Sequence, residues 1–283
     1  MSKLLLLSKK NIKIFKKKDI CFSFLFLTTL LFFILFKSFL KIPDPYNSSG
    51  NQPLQTISSK HWLGTDAVGY DLFSRVLEGA KISLKISFIT IIISSSLGTL
   101  LGLIAGYYNN YINNIIMFIC DILTIFPSII LAILIMLVFS NQSVYTLITV
   151  LSISFIPSYI RVIRAHTLTI KQKDFIKASK ALGANDIQVI KRHILPNILT
   201  ILITKIILNI SDVILAISGF GFIGLGLDRT KAEWGNILYS SKSYMMYHPY
   251  LLYGPLIVIV GTILSFNLIG NRLIKYFEHN QNI

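Results

Sequence analysis

Long apolar segments recur along this sequence, and their length limits the folds open to it. They cover approximately residues 20–40, 82–108, 115–139, 143–164, 198–218 and 250–271. A helix needs about 20 consecutive apolar residues to cross the hydrocarbon layer of a membrane, and each segment is near that length. Charged residues are 14% of the chain, whereas soluble domains hold about 25%. We therefore predict an all-α, polytopic membrane protein with six transmembrane helices.

The first apolar segment follows a basic stretch, residues 1–19, with seven lysines and one acid. A secretory signal peptide begins in the same way. We favour a transmembrane helix because the apolar run is longer than the about 7–15 residues of a signal-peptide core, and no small-x-small cleavage site follows it. The predicted organisation is a basic tail 1–19, a first helix 20–40, an extracytoplasmic segment 41–81, a five-helix core 82–271 and a second tail 272–283.

The distribution of lysine and arginine predicts the orientation. With the N-terminus inside, 17 of the 27 basic residues fall in the two tails and the 161–196 loop, and 8 fall in the outer segments 37–81 and 219–249. Cytoplasmic loops carry the excess of positive charge. Both termini and the 161–196 loop are therefore predicted to be cytoplasmic. The net charge of +15 reflects this topology and attraction to anionic lipid, and not nucleic-acid binding.

A basic amphipathic insert, residues 173–197, lies between the fourth and fifth apolar segments. In a helix its lysines and its apolar residues would take opposite faces. The lysines are Lys173, Lys177 and Lys180, and the apolar face is Phe175, Ile176, Ser179 and Leu182. Such a helix lies on a membrane surface or docks into a groove of a partner protein.

Residues that typically end or begin helices divide this insert into two short helices. Gly183 is expected to end the first, because glycine accepts the left-handed backbone conformation that often follows a helix. Asn185 and Gln188 form the spacing of a capping box, which predicts the start of the second. Pro196 is expected to end it.

The insert contains Lys177-Ala178-Ser179, then Gly183, then Leu195-Pro196. These three features resemble the coupling motif of ABC importer permeases. The family has Glu at the position of Lys177 and Ala at the position of Ser179, while the glycine and the Leu-Pro pair are in register. The resemblance implies that the insert contacts an ATPase through Phe175, Ile176, Lys177, Ala178, Ser179, Leu182, Gly183, Leu195 and Pro196.

Motifs elsewhere resemble the dipeptide/oligopeptide/nickel branch of these permeases. They are His61-Trp62-Leu63-Gly64-Thr65-Asp66, Phe126-Pro127-Ser128, Gly224-Leu225-Gly226, Trp234-Gly235-Asn236 and Phe266-Asn267-Leu268, with Tyr70 where the branch usually has Arg. The resemblance implies a type I importer architecture in the inner membrane, in which this chain pairs with a second, different permease, two cytoplasmic ATPases and an extracytoplasmic solute-binding protein. The implied substrate is a di- or oligopeptide, or nickel or a metal chelate.

Two other classes of protein remain open from the residues alone. A secondary transporter would use intramembrane acids as ion sites. A membrane anchor for a cytoplasmic complex would need only the insert.

A repeat of small residues marks the second apolar segment. Ser94, Gly98, Gly102 and Gly106 recur every four residues. Such a face lets another helix backbone approach closely, so we predict a helix-packing face there.

Four polar residues fall within apolar segments and are candidates for lining a translocation pathway. They are Asp121, Lys205, Asn209 and Asp212. A polar group at membrane depth is costly, so it faces a cavity or finds a partner. The alternative interpretation is a structural hydrogen bond or a position near the lipid headgroups.

The sequence lacks the motifs of several site classes. It has no G-x-x-x-x-G-K-[ST] motif, so any ATP and Mg are expected in partner subunits and no cofactor is expected on this chain. The G-x-G-x-x-G match at 219–224 follows an apolar segment, not a strand, which argues against nucleotide binding. The five histidines show no metal-ligand spacing, and we predict neither a metal site nor catalytic residues.

Overall fold

The computed structural model describes residues 18–108, 110–138 and 143–281. Within these ranges the chain is helical and contains no β-strand. The helices are α1 (Lys18–Leu35), α2 (Leu72–Tyr108), α3 (Tyr111–Thr124), α4 (Ser128–Val138), α5 (Val144–Lys171), α6 (Asp174–Ala181), α7 (Asp186–Val189), α8 (Leu195–Ile223), α9 (Trp234–Ser241) and α10 (Tyr250–Gln281). The all-α prediction is confirmed. Residues 1–17 and 282–283 of the predicted tails lie outside the described ranges.

Four helices of the described chain are long and apolar enough to cross a membrane. They run over Leu72–Tyr108, Val144–Lys171, Asp186–Ile223 and Tyr250–Phe277. Each extends beyond its predicted apolar segment, and α2 begins ten residues before residue 82. The first segment forms the shorter apolar helix Ile20–Leu35. The predicted count of six spans is therefore not directly reproduced.

The third predicted span is divided at Phe126-Pro127. Helix α3 ends at Thr124 and α4 begins at Ser128. Proline has no backbone N–H and disfavours helical backbone in the residue before it, which accounts for the break. Pro157 behaves differently, because α5 continues through it.

The second helix of the insert does not end at Pro196, contrary to the prediction. Helix α7 passes through a π-helical turn, Ile190–Ile194, directly into α8. Pro196 is the second residue of α8. It follows a turn in which the Leu195 N–H donates to the Ile190 carbonyl, five residues back, so the helical hydrogen bonds are already shifted where proline lacks its N–H. The insert is therefore continuous with the helix that follows it.

The chain divides into two compact units. The first consists of Met1–Ile86 and Ile210–Leu273, and the second consists of Ser87–Asn209 and Ile274–Ile283. In the first, the indole of Trp234 is fully buried and donates a hydrogen bond of 3.0 Å to the Val76 carbonyl. Phe33, Trp62 and Phe73 form an aromatic cluster in the same unit.

The second unit contains a hydrophobic core that joins the insert to helices α2, α5 and α8. Its buried members are Leu103, Tyr107, Ile163, Ile170, Ile176, Val189, Ile194 and Ile198. Burial of aliphatic side chains in one cluster holds these four elements together.

Candidate functional site

Residues 173–197 contain two short helices, α6 and α7, and capping interactions mark the end of the first and the start of the second. Gly183 has φ +88°, and the Ala184 and Gly183 N–H groups donate to the carbonyls of Ser179 and Lys180 over 3.1 and 2.9 Å. This is the hydrogen-bond pattern of a Schellman cap, and it confirms that Gly183 ends α6. Asn185 and Gln188 make the reciprocal bonds of a capping box at the start of α7, as predicted.

The inner side of the insert packs on the ends of two long helices. Ile176 is 2% exposed and belongs to the same core cluster as Tyr107 of α2 and Ile170 of α5. Val189 and Ile194 join that cluster from α7 and the π-helical turn. The insert is therefore attached to α2 and α5 through buried side-chain contacts.

Polar contacts reinforce this junction. The Tyr107 hydroxyl donates a hydrogen bond of 2.6 Å to Asp186, and the Lys180 ammonium lies 3.3 Å from the same carboxylate. The Lys171 ammonium donates to the Tyr107 carbonyl. Two of these contacts link the last turn of α2 to the start of α7 and to the end of α5, and the ion pair of Lys180 links α6 to α7.

The outer side of the insert presents apolar side chains to the surroundings. Leu182 is 89% exposed, and Phe175 and Ile187 are also exposed. The predicted single apolar face is thus divided, because Ile176 turns inward while Phe175 and Leu182 point outward. Exposed apolar residues beside lysines are typical of a surface that a partner covers.

The remaining motif positions differ in exposure. Lys177 and Ala178 are exposed, and Lys177 pairs with Asp174 over 3.0 Å. Ser179 lies 3.2 Å from His193. Leu195 is half-buried and Pro196 is exposed, at the start of α8.

The small-residue face of α2 lies directly against α5. A Cβ atom added to Gly98 would lie 2.4 Å from the Tyr159 Cβ, and one added to Gly106 would lie 2.6 Å from the Thr167 Cβ. Gly102 meets Ile163 in the same way. Ser94 donates a hydrogen bond to the Ser152 carbonyl, also on α5. Only residues without a bulky side chain permit this separation of the two helices.

Asp121, one of the four candidate pathway residues, is paired. Its carboxylate accepts a hydrogen bond of 2.8 Å from Arg161 of α5, which also donates to Thr124 over 2.6 Å. The sequence analysis missed Arg161, because nothing in the sequence brings α3 and α5 together. Both members of this ion pair are more than one-third exposed, so its contribution to stability is small.

Lys205 and Asn209 line a cavity of about 410 Å³ in the second unit. Its other polar lining residues are His166, Thr200 and Thr204, and Ile274 and Phe277 of α10 contribute apolar surface. The Lys205 ammonium donates a hydrogen bond of 2.7 Å to Ser158. The fourth candidate, Asp212, is exposed and is not part of this lining.

The region after α8 is organised by a buried acid that the sequence analysis also missed. The Glu233 carboxylate accepts hydrogen bonds from the Gly235 and Asn236 N–H groups and from the Ser83 hydroxyl. Complete burial raises the pKa of Glu233 from 4.5 to about 7. Its position immediately before Trp234, the first residue of α9, is the available sequence signal, since acids favour helix N-termini.

Gly221 of the G-x-G-x-x-G segment packs closely against the backbone of Gly235. A Cβ there would lie 2.7 Å from the Gly235 Cα. The match therefore reflects the close approach of two backbone segments.

The described chain combines four helices long enough to cross a membrane with an insert that packs between two of them. Residues 98–282 match the family described as "Binding-protein-dependent transport system inner membrane component". The chain belongs to this family, the permease subunits of ABC importers of the inner membrane. The match confirms the class predicted from the sequence and favours it over a secondary transporter or a membrane anchor.

Relatives of known name support the same class. The chain is 37% identical over 228 residues to "Glutathione transport system permease protein GsiD" of Shigella dysenteriae serotype 1, a match that covers 81% of this chain and 74% of the relative. It is 39% identical to the protein of that name in Shigella flexneri serotype 5b and 36% identical to that in Escherichia coli O157:H7, with the same coverage.

Solved structures share the fold. A chain from "Inward facing conformations of the MetNI methionine ABC transporter" matches with a TM-score of 0.60 and 20% identity, over 71% of this chain and 95% of that chain. A chain from "Crystal structure of an amino acid ABC transporter with histidines" matches with a TM-score of 0.51 and 19% identity, over 73% and 94%.

Proposed function

We propose that this permease forms one half of the membrane pathway of an importer for glutathione or similar small peptides. The relatives named above are glutathione permeases, and the motifs at 61–66 and 234–236 resemble the peptide and nickel branch. Glutathione is a tripeptide, which agrees with both sources. Nickel or a metal chelate is the second substrate to be assayed.

We further propose that the insert couples ATP hydrolysis to the pathway. The observation that carries this is its two-sided construction, in which Leu182 is exposed while Ile176 is buried against the spanning helices. An ATPase subunit bound to the outer side would move the long helices through the inner side. Such a partner shifts the conformational equilibrium only through contacts that differ between the two states.

The proposed assembly has two permeases, two ATPases and an extracytoplasmic binding protein. The second permease is a different chain, so that this one contributes to a heterodimer. ATP and Mg bind in the ATPase subunits. The excess of lysine and arginine supports a cytoplasmic location for both termini and for the insert.

Charged substitutions on the outer side of the insert test the coupling proposal. Leu182→Glu and Phe175→Glu should reduce co-purification with the ATPase subunits, because each buries a carboxylate in an apolar interface. Gly183→Pro should do the same by disrupting the cap of α6. Met246→Glu is a matched control, since Met246 is 86% exposed, nearly as much as Leu182, but lies in the predicted outer segment.

Uptake of labelled glutathione, a dipeptide and nickel in cells that carry these variants tests the substrate. Loss of co-purification and uptake in the insert variants alone is the expected result. Normal assembly and uptake in all three would mean that residues 173–197 only lie on the membrane surface, and the coupling proposal would be abandoned.

A further inference from the structure

An open cavity of about 370 Å³ lies in the first compact unit, beside the polar segment that follows α1. This volume is in the range of small-molecule binding sites. The predicted topology places the segment 41–81 outside the cell membrane, so the cavity lies at the outer boundary of the lipid. Its wall is formed by residues 40–43, by Ser59, Lys60 and Trp62, and by Asp71 and Phe73.

Two lysines give this cavity its positive charge. Lys41 and Lys60 are exposed, and neither forms an ion pair with another residue of the ranges 18–108, 110–138 and 143–281. The cavity has one carboxylate, that of Asp71, and both of its oxygens already accept hydrogen bonds. One accepts from the Ser74 N–H and the other from His61 Nδ1, each over 2.8 Å. The two ammonium groups are therefore available to an anion, and lysine binds phosphate as a point charge.

The backbone at Lys41 is in a conformation that favours glycine. The Lys41 N–H donates to the Ser38 carbonyl, and the Ile42 N–H donates to the Lys37 carbonyl. This is the hydrogen-bond pattern of a Schellman cap, with Lys41 at the position that glycine usually occupies. Its φ is +52°, which is unfavourable for a residue with a side chain. Strain of this kind persists mainly where the residue serves a binding site.

The opposite part of the wall is aromatic and continues into the apolar surface of the first helix. The rings of Trp62 and Phe73 lie 5.0 Å apart, and Phe33 of α1 lies 5.6 Å from Phe73. Phe39, directly before the cavity residues 40–43, is 86% exposed. Tryptophan is typical of the boundary between lipid and water. A ligand that fits this cavity therefore combines an anionic group with an apolar chain.

We propose that this cavity binds the headgroup of an anionic phospholipid such as phosphatidylglycerol. Lys41 and Lys60 contact the phosphate, and the acyl chain lies along Trp62 and Phe39. The bound lipid holds the outer end of the first helix at the membrane surface. This inference does not depend on the proposed substrate or on the coupling proposal.

Tryptophan fluorescence can measure this binding, because only one of the two tryptophans lines the cavity. The other, Trp234, is fully buried. The full chain in detergent micelles is titrated with phosphatidylglycerol that carries bromine on its acyl chains, which quenches nearby tryptophans. Brominated phosphatidylcholine, a zwitterionic lipid, is titrated in parallel. Phosphatidylglycerol should half-saturate the quenching at a mole fraction at least about fivefold lower, and Trp62→Phe should abolish the saturable quenching.

Two lysine variants test the phosphate contacts. Lys41→Gly and Lys60→Gln should each raise the half-saturating mole fraction of phosphatidylglycerol about fivefold and leave that of phosphatidylcholine unchanged. Lys41→Gly also relieves the backbone strain, so its midpoint of thermal unfolding should equal or exceed that of the wild type. A purely structural role of Lys41 would not combine retained stability with lost lipid binding.

Lys231→Gln is the matched control. Lys231 is an exposed lysine of the same compact unit and of the predicted outer segment 219–249, but it does not line the cavity. Its substitution should leave both titrations unchanged. Equal titrations of the two lipids by wild-type protein, or wild-type binding of phosphatidylglycerol by both cavity variants, would overturn the inference.

Small soluble anions are the other source of a group that these lysines could bind. Inorganic phosphate and glutathione, each added at millimolar concentration, should not reverse the quenching, because neither carries an acyl chain. Reversal by either compound would mean that the cavity binds that small anion, and the lipid assignment would be wrong. The assay involves no transport, so its failure leaves the proposed import of glutathione unaffected.

Discussion

The Tyr107 hydroxyl donates a hydrogen bond of 2.6 Å to the Asp186 carboxylate, and this bond joins two elements that are 79 residues apart. Tyr107 belongs to the last turn of α2, and Asp186 is the first residue of α7. The bond therefore fixes the start of the second insert helix to a long helix. In the proposed mechanism it lies on the route by which the insert acts on the pathway.

Tyr107→Phe should weaken coupling without preventing assembly. The substitution removes one hydrogen bond to a charged, partly exposed group, which corresponds to about 1 kcal/mol. Uptake should fall about two- to fivefold while the ATPase subunits still co-purify. Tyr108→Phe is the control, since Tyr108 is exposed. Identical uptake by the two variants would show that the bond has no part in coupling.

Gly183 should tolerate asparagine better than valine. Its φ of +88° is unfavourable for side chains with a branched Cβ, although open space surrounds the position. Gly183→Val should destabilise the cap by about 1–2 kcal/mol, and Gly183→Asn should cost less. Limited proteolysis of the insert measures the effect. Equal cleavage rates in both variants would contradict an effect of backbone conformation.

Gly98→Ala should destabilise the packing of α2 on α5. The added Cβ would lie 2.4 Å from the Tyr159 Cβ, and overpacking of this kind costs about 1–3 kcal/mol. The midpoint of thermal unfolding should fall. Gly219→Ala is the matched control, because a Cβ there meets no atom within 4 Å, and its midpoint should be unchanged or slightly higher. An unchanged midpoint for Gly98→Ala would mean that the helices separate readily.

Stability should depend on pH through Glu233. Its pKa is raised from 4.5 to about 7 by burial, so the folded state holds the proton more tightly than the unfolded state. This contribution is complete below about pH 4.5 and is lost as the pH rises through about 7, with a total near 3 kcal/mol. The unfolding temperature of the wild-type protein should fall between pH 5 and pH 8.

Glu233→Gln should remove this part of the pH dependence, because glutamine resembles the protonated carboxyl. Glu78→Gln removes a carboxylate that lies 3.7 Å from Lys81 and serves as the control with wild-type behaviour. Parallel pH profiles for wild-type protein and Glu233→Gln would show that Glu233 is ionised throughout.

The local features of this protein were readable from its sequence. The length of the apolar segments determines the helical membrane fold, because backbone groups in lipid must be satisfied within the helix. Gly183 and the Asn185–Gln188 pair determine the ends of the insert helices, because caps depend on a few neighbouring residues. The motif spacing in the insert indicated the family.

Features that depend on distant parts of the chain were decided by the tertiary structure. The core around Ile176 divides the apolar face of the insert, and periodicity cannot tell which apolar residue faces inward when both sides are apolar. Helix α7 continues into α8 through the π-helical turn before Pro196. The identity of the residue at 196 does not predict such a turn. Helix packing also brings together residues that are far apart in sequence. It places Arg161 beside Asp121, and it places His166, Lys205 and Asn209 around one cavity.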